Sequence, residues 1–239
     1  MNAAAYRSRI WYPILAVGLS MVAFITIKTG RDAVFFQNRG IFELPLAYVY
    51  IAIASLPAAM IHLGAIARWG ARKTRTGLFV FAALILAPFT FILPGGNNAL
   101  LLAYFVIVPT IFAAVFAGAW LLAGDLLEES TDEIKRWAYS RIGAASMIGG
   151  ILGGLFAKAL LVFVAPQLLV LVGSAILPGV AVVVAVGHLR YPVLADTCSH
   201  CSSTGISLVS LISAPSWVSA DWRPLPLCTS ISSSMLPLP

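Results

Sequence analysis

In the stretch IKTGRDAVFFQNRG, Lys28, Arg31, Asp32 and Phe35 stand at i, i+3, i+4 and i+7. On a continuous helix that spacing puts all four on one face. Lys28 and Asp32 are then set to pair, which leaves Arg31 to meet an anion. The stretch follows almost directly on the apolar run IWYPILAVGLSMVAFIT. A cationic face turned toward lipid is costly, whereas one lining a water-filled cavity in a bundle is reasonable. An interfacial loop whose cations reach headgroups is the other reading, and Gly30 weakens the helix that the first reading needs. Lys158, inside a later apolar run, has a similar pair of explanations: a polar path through the bundle, or a side chain that snorkels to the interface. Lys28, Arg31, Asp32 and Lys158 are therefore the candidate substrate-binding residues, and the substrate they imply is an anionic small molecule.

No catalytic constellation accompanies them. His62, His188 and His200 have no partner at ligand or dyad spacing, and no GxSxG, HExxH or phosphate loop is present. Cys198 and Cys201 form a CxxC around His200, but a zinc site needs further ligands and Cys228 is distant. The sequence thus predicts no enzyme, no metal and no cofactor. The net charge of +6 does not point to nucleic acid, because the basic residues sit in short loops between apolar runs.

Those runs are the elements that must position the charges. Hydrophobic residues make up 60% of the chain and charged residues 10%, with a mean hydropathy of +0.95. Soluble domains carry roughly 25% charged residues. Six stretches approach the ~20 apolar residues that a bilayer crossing needs: Ile10–Thr29, Leu44–Ala67, Gly77–Leu93, Ala99–Ala123, Gly143–Val164 and Gln167–Gly187. Backbone groups cannot stay unpaired in lipid, so these runs must be helices, and the fold class is an all-α polytopic membrane bundle. The first run is too long and too directly followed by others for a cleaved signal peptide. If the spans alternate, Arg7, Arg9, Arg68, Arg72, Lys73, Arg75, Lys135, Arg136, Arg141 and Arg190 fall on one side. The positive-inside rule makes that side, with both termini, cytoplasmic. Lys28, Arg31 and Arg39 fall on the other.

Between the second and third runs, ARWGARK sets cations around a turn glycine. Arg68, Gly70, Arg72 and Lys73 match the spacing of the loop after the second helix in the major facilitator superfamily, which they resemble, although Ala67 stands where that signature has an aspartate. Simple placement of cations by the positive-inside rule explains the same residues. Pro109 predicts a kink in the fourth span. The stretch from Asp125 to Arg141 is too charged for lipid and reads as a solvated connector, helix or loop, with Thr131 as a helix cap and Ser130 with Glu133 as a capping box. In the fifth run Gly149 and Gly153, and likewise Gly150 and Gly154, lie four apart, with Ala145 and Ala157 extending one row. Small residues at that spacing let two helix backbones approach closely. A homodimer through this face is compatible with the pattern.

After Leu194 the composition changes to a Ser-, Pro- and Cys-rich tail without helical period. The expected organisation is a six-helix bundle over 1–194 and a disordered or out-of-frame tail over 195–239.

The segment TGRDAVFFQNRGIFELP resembles the first-helix region of the nucleotide transporter (ATP/ADP carrier) family, through Thr29, Arg31, Asp32, Glu43 and Pro45. DEIKRWAYSRIGAASMIGGILGG is similar to that family's segment before a glycine-rich fifth helix, through Glu133, Lys135, Arg136 and Tyr139. The resemblance implies a facilitator-like exchanger of nucleotides in a bacterial inner membrane, with Arg31 inheriting a phosphate-binding role. It also implies a twelve-helix bundle of two halves, of which six spans supply one. The second half is then another chain or a second copy, or else the six spans are a truncated product without transport activity. A non-transporting structural or regulatory membrane module, or a pseudo-carrier fragment, is the alternative function.

Overall fold

The computed structural model describes residues 3–39, 41–92, 98–128 and 130–190. The expected tail, the Cys198/Cys201 motif and most of the loop at Gly95–Ala99 lie outside these residues. The described residues are all-helical: α1 (Ala3–Asn38), α2 (Leu44–Trp69), α3 (Ala71–Ile92), α4 (Asn98–Leu127), α5 (Asp132–Leu161) and α6 (Pro166–Arg190), with one 3₁₀ turn at Ile41–Glu43 before α2. Each of the six helices contains a segment long and apolar enough to cross a membrane. The protein is a multi-pass membrane protein.

Several boundaries differ from the apolar runs because hydropathy marks where lipid ends, not where hydrogen bonding ends. α1 continues through Gly30 to Asn38, nine residues past the expected end of its span. Gly30 is helical and admits a neighbour: a Cβ there would lie 2.6 Å from Pro166 O on α6. Pro166 and Pro45 both stand in the first turns of their helices, where a missing N–H removes no intrahelical bond. α2 stops at Gly70, whose φ of 80° is the left-handed region that glycine enters freely. Its N–H donates to Ile66 O at 2.9 Å, and α3 begins at the next residue.

The connector expected between Asp125 and Arg141 is mostly helix. α4 runs to Leu127 and α5 starts at Asp132, with Thr131 in the N-cap position but making no side-chain cap bond. The capping box does not form. Ser130 donates to Leu127 O instead, which turns its hydroxyl back toward α4.

Close contacts fix the directions of the helices. Gly30 meets the start of α6, and Gly187 near its end meets Tyr12, so α1 and α6 are antiparallel. Gly18 meets Ala145, and Gly153 meets Val22, so α1 and α5 are parallel. Phe24 packs on Phe112 and Phe116, and Phe35 on Phe105, which makes α4 antiparallel to α1. α1 is therefore the central helix, covered by α6, α5 and α4. α2 is the opposite case: only 6% of its most apolar window is buried, and Ile53, Leu56, Met60, Ile61 and Leu63 are exposed.

Only one of the two glycine rows makes the close approach. Gly149 faces Gly18 at backbone contact, and a Cβ on Gly153 would lie 3.0 Å from Val22 Cα. Gly150 meets only the flexible end of Met21, and Gly154 has open space around it.

Candidate functional site

The distal part of α1, toward Asn38, carries the densest charge in the bundle interior. Asp32 is shared by two cations. Its Oδ2 accepts from Lys28 Nζ at 2.9 Å, and its Oδ1 accepts from Arg31 Nε at 2.8 Å and Nη2 at 2.6 Å. The Lys28 contact is the expected i,i+4 pair. The Arg31 contact is not, because neighbours on a helix point about 100° apart. The long guanidinium side chain must curl back to reach it. Arg31 is therefore not left free by the Lys28 pair.

Two further contacts hold Arg31, which is 4% exposed. Its Nη1 donates to Phe105 O at 3.3 Å, and its Cζ lies 4.0 Å from the centroid of the Phe105 ring. The acceptor has a sequence-level cause. A helical Phe105 carbonyl accepts from the N–H of residue 109, and residue 109 is proline. Pro109 thus leaves a carbonyl unpaired inside the bundle, and Arg31 donates to it from the neighbouring helix. The ring contact and the ion pair are both stronger where water is excluded. Two cations and one carboxylate leave the cluster with one net positive charge.

Two buried hydroxyls near this level make no hydrogen bond: Tyr104 Oη and Thr90 Oγ1. Tyr104 directly precedes Phe105, and its ring lies 4.8 Å from that of Phe89 on α3. Thr90 follows Phe89 in the chain. Neither residue stands out in the sequence, where each reads as a polar residue in an apolar run.

Lys158 lies on the last turn of α5 and is exposed. It makes no ion pair with the α1 cluster among the described residues. Its neighbour Ala157 occupies the buried side of α5, so Lys158 points away from it.

At the opposite end of the bundle, Arg68 and Lys73 are exposed and Arg72 is half-buried around the Gly70 turn. The buried cation there is Arg75, which forms an ion pair with Asp125 on α4. Sequence reading placed Arg75 among the loop cations. Its helical position offered a signal: Arg75, Phe79, Ala82 and Leu86 share one stripe of α3, and all are buried. Thr74 also closes this end, donating to Ala65 O on α2 at 3.0 Å.

Comparisons with protein-family models, curated proteins and solved structures give no match. The functional reading therefore rests on the residues and their geometry.

Proposed function

We propose that this membrane protein is a transporter, or one half of one, that moves an anionic solute by alternating access. The observation that carries the reading is the Lys28–Asp32–Arg31 cluster, with net positive charge, inside a helix surrounded by three others. Charge at such a place is expensive, and in membrane proteins it marks solute and ion paths. Lys28, half exposed, is the first contact for an incoming anion. Arg31 is the second, and Asp32 positions both. The residues that resemble the nucleotide transporter family make ATP or ADP the first solutes to test.

In this reading six spans form one half of a facilitator-type bundle, and solute binds between halves. The second half is a second copy or another chain. By the positive-inside rule, the cations near the Gly70 turn support a cytoplasmic position for that end, with the start of α1 and the end of α6, in a plasma membrane. The close row through Gly149 and Gly153 keeps α5 seated on α1 while the half rocks as a body.

Uptake of radiolabelled ADP and ATP into proteoliposomes tests the proposal. Saturable uptake is expected, and Arg31→Ala should lower it about 10-fold or more, as for loss of a charge-assisted hydrogen bond. Absent uptake returns the chain to the second reading, a non-transporting membrane module, and uptake indifferent to Arg31 removes Arg31 from the mechanism. One observation favours that reading: Asp32, Phe105 O and the Phe105 ring already engage Arg31 within the bundle.

A further inference from the structure

A buried hydroxyl without a partner is costly, and folded proteins rarely leave one. Helical hydroxyls usually avoid the cost by bonding the carbonyl four residues back. Ser20, Thr26, Thr29, Thr110 and Ser174 all do so in this bundle. Thr90, 3% exposed, does not, and Tyr104, fully buried, has no partner either. Both side chains are held by packing while their polar atoms stay unused.

Their place in the fold gives these atoms a common context. The Phe89–Tyr104 ring contact sets the distal end of α3 against the first turns of α4. Arg31 reaches the same turns through Phe105. Tyr104 also lies within electrostatic reach of both Arg31 and Asp32. A cation and a carboxylate of α1 and the Tyr104 hydroxyl of α4 thus lie close together, and Thr90, next to Phe89 on α3, stands at the same level. One net positive charge with two neutral donors is the chemistry of an oxyanion site, since phosphate and carboxylate oxygens accept several hydrogen bonds at once.

We infer that the Tyr104 and Thr90 hydroxyls are further binding residues, donating hydrogen bonds to an oxyanion held beside Arg31. This rests on the anion-transport reading and deepens it by adding α3 and α4 to the site. The ligand class is a phosphate or phosphate ester. Both a soluble phosphate compound and the headgroup of an anionic lipid carry such oxygens.

Equilibrium binding of radiolabelled ADP and of inorganic phosphate to the full chain, in nanodiscs of phosphatidylcholine, tests this. Tyr104→Phe removes one oxygen and keeps the ring on Phe89. Thr90→Val keeps the branched shape, so either variant serves if the other fails to fold. Loss of one hydrogen bond should weaken binding roughly 5- to 30-fold in each variant. If Arg31→Ala abolishes binding while Tyr104→Phe and Thr90→Val bind as tightly as the wild type, the inference is overturned and the anion site stands without them. If neither probe binds in phosphatidylcholine, discs containing phosphatidylglycerol replace the probe. Co-purification of that lipid with the wild type, reduced in both hydroxyl variants, supports a headgroup oxyanion. Its absence overturns the inference together with the reading on which it rests.

Discussion

Asp32 is the residue on which the site turns, because it answers two cations at once. Its replacement by asparagine leaves a guanidinium that is 4% exposed without a compensating charge, facing only neutral acceptors and a ring. Removing one partner of a buried pair costs about 3–5 kcal/mol, so Asp32→Asn should lower the thermal unfolding midpoint clearly in detergent. Lys28 is 44% exposed on its side chain, where a pair contributes about 0–1 kcal/mol. Lys28→Met should therefore leave the midpoint nearly unchanged, and a large drop would show that Lys28 is structural. Sequence spacing made the Lys28–Asp32 pair legible, since both residues lie on one helix turn. It did not show Arg31's hold on Phe105, because 74 residues separate donor and acceptor. The clue lay in Pro109, whose missing N–H announces an idle carbonyl four residues earlier but not the group that reaches it.

At the scale of elements, prolines and glycines divide the labour. Five helices contain an internal proline, at Pro13, Pro57, Pro88, Pro109 and Pro178, and α5 contains none. Pro109→Ala restores an N–H that competes with Arg31 for the Phe105 carbonyl. The expected result is a changed course of α4 at that turn, read as a changed distance between spin labels placed either side of residue 109. The glycine rows of α5 give a contrast within one helix. Gly149→Ala drives a methyl into the Gly18 backbone and should destabilise by about 1–3 kcal/mol, as overpacking does. Gly154→Ala meets nothing and should stay within about 0.5 kcal/mol. Both are measured by unfolding in the same detergent. The sequence showed that α5 makes a close approach, since the spacing of small residues is local. Which row makes it depends on how α5 is rotated against α1, and that is set by the partner helix. The charged connector stayed open between helix and loop for a related reason. Hydropathy reports lipid contact and does not say whether a backbone that continues into water stays helical.

On the scale of the whole bundle, each end is fastened by a buried arginine. Arg31 ties α1 to α4 through the Phe105 carbonyl and ring at one end, and Arg75 ties α3 to α4 through its ion pair with Asp125 at the other. A carrier that alternates must loosen its two ends in turn, so Asp125→Asn should bias the bundle toward opening at the Gly70 end. Impermeant maleimide labelling of single cysteines, in a background with Cys198, Cys201 and Cys228 replaced by serine, tests both this and the orientation. Gln37→Cys should react in intact cells, whereas Arg72→Cys should react only after permeabilisation. Asp125→Asn should raise the labelling of cysteines placed on the buried stripe near Phe79 without altering that of Gln37→Cys. The six spans themselves were legible from hydropathy, because apolar length is a property of composition.

The Gly70 turn has a consequence for how the protein is made. One residue joins two helices of 26 and 22 residues, lengths of about 39 and 33 Å at 1.5 Å per residue. A link that short gives neither helix a pause at the membrane surface. α2, with so little of itself buried, packs mainly on α4, which is made later, so until α4 arrives only the Gly70 turn and α3 hold it. The two must leave the insertion machinery together as a hairpin, and a substitution that bars the positive φ of Gly70 would be felt first during biogenesis, before any finished bundle exists to be destabilised.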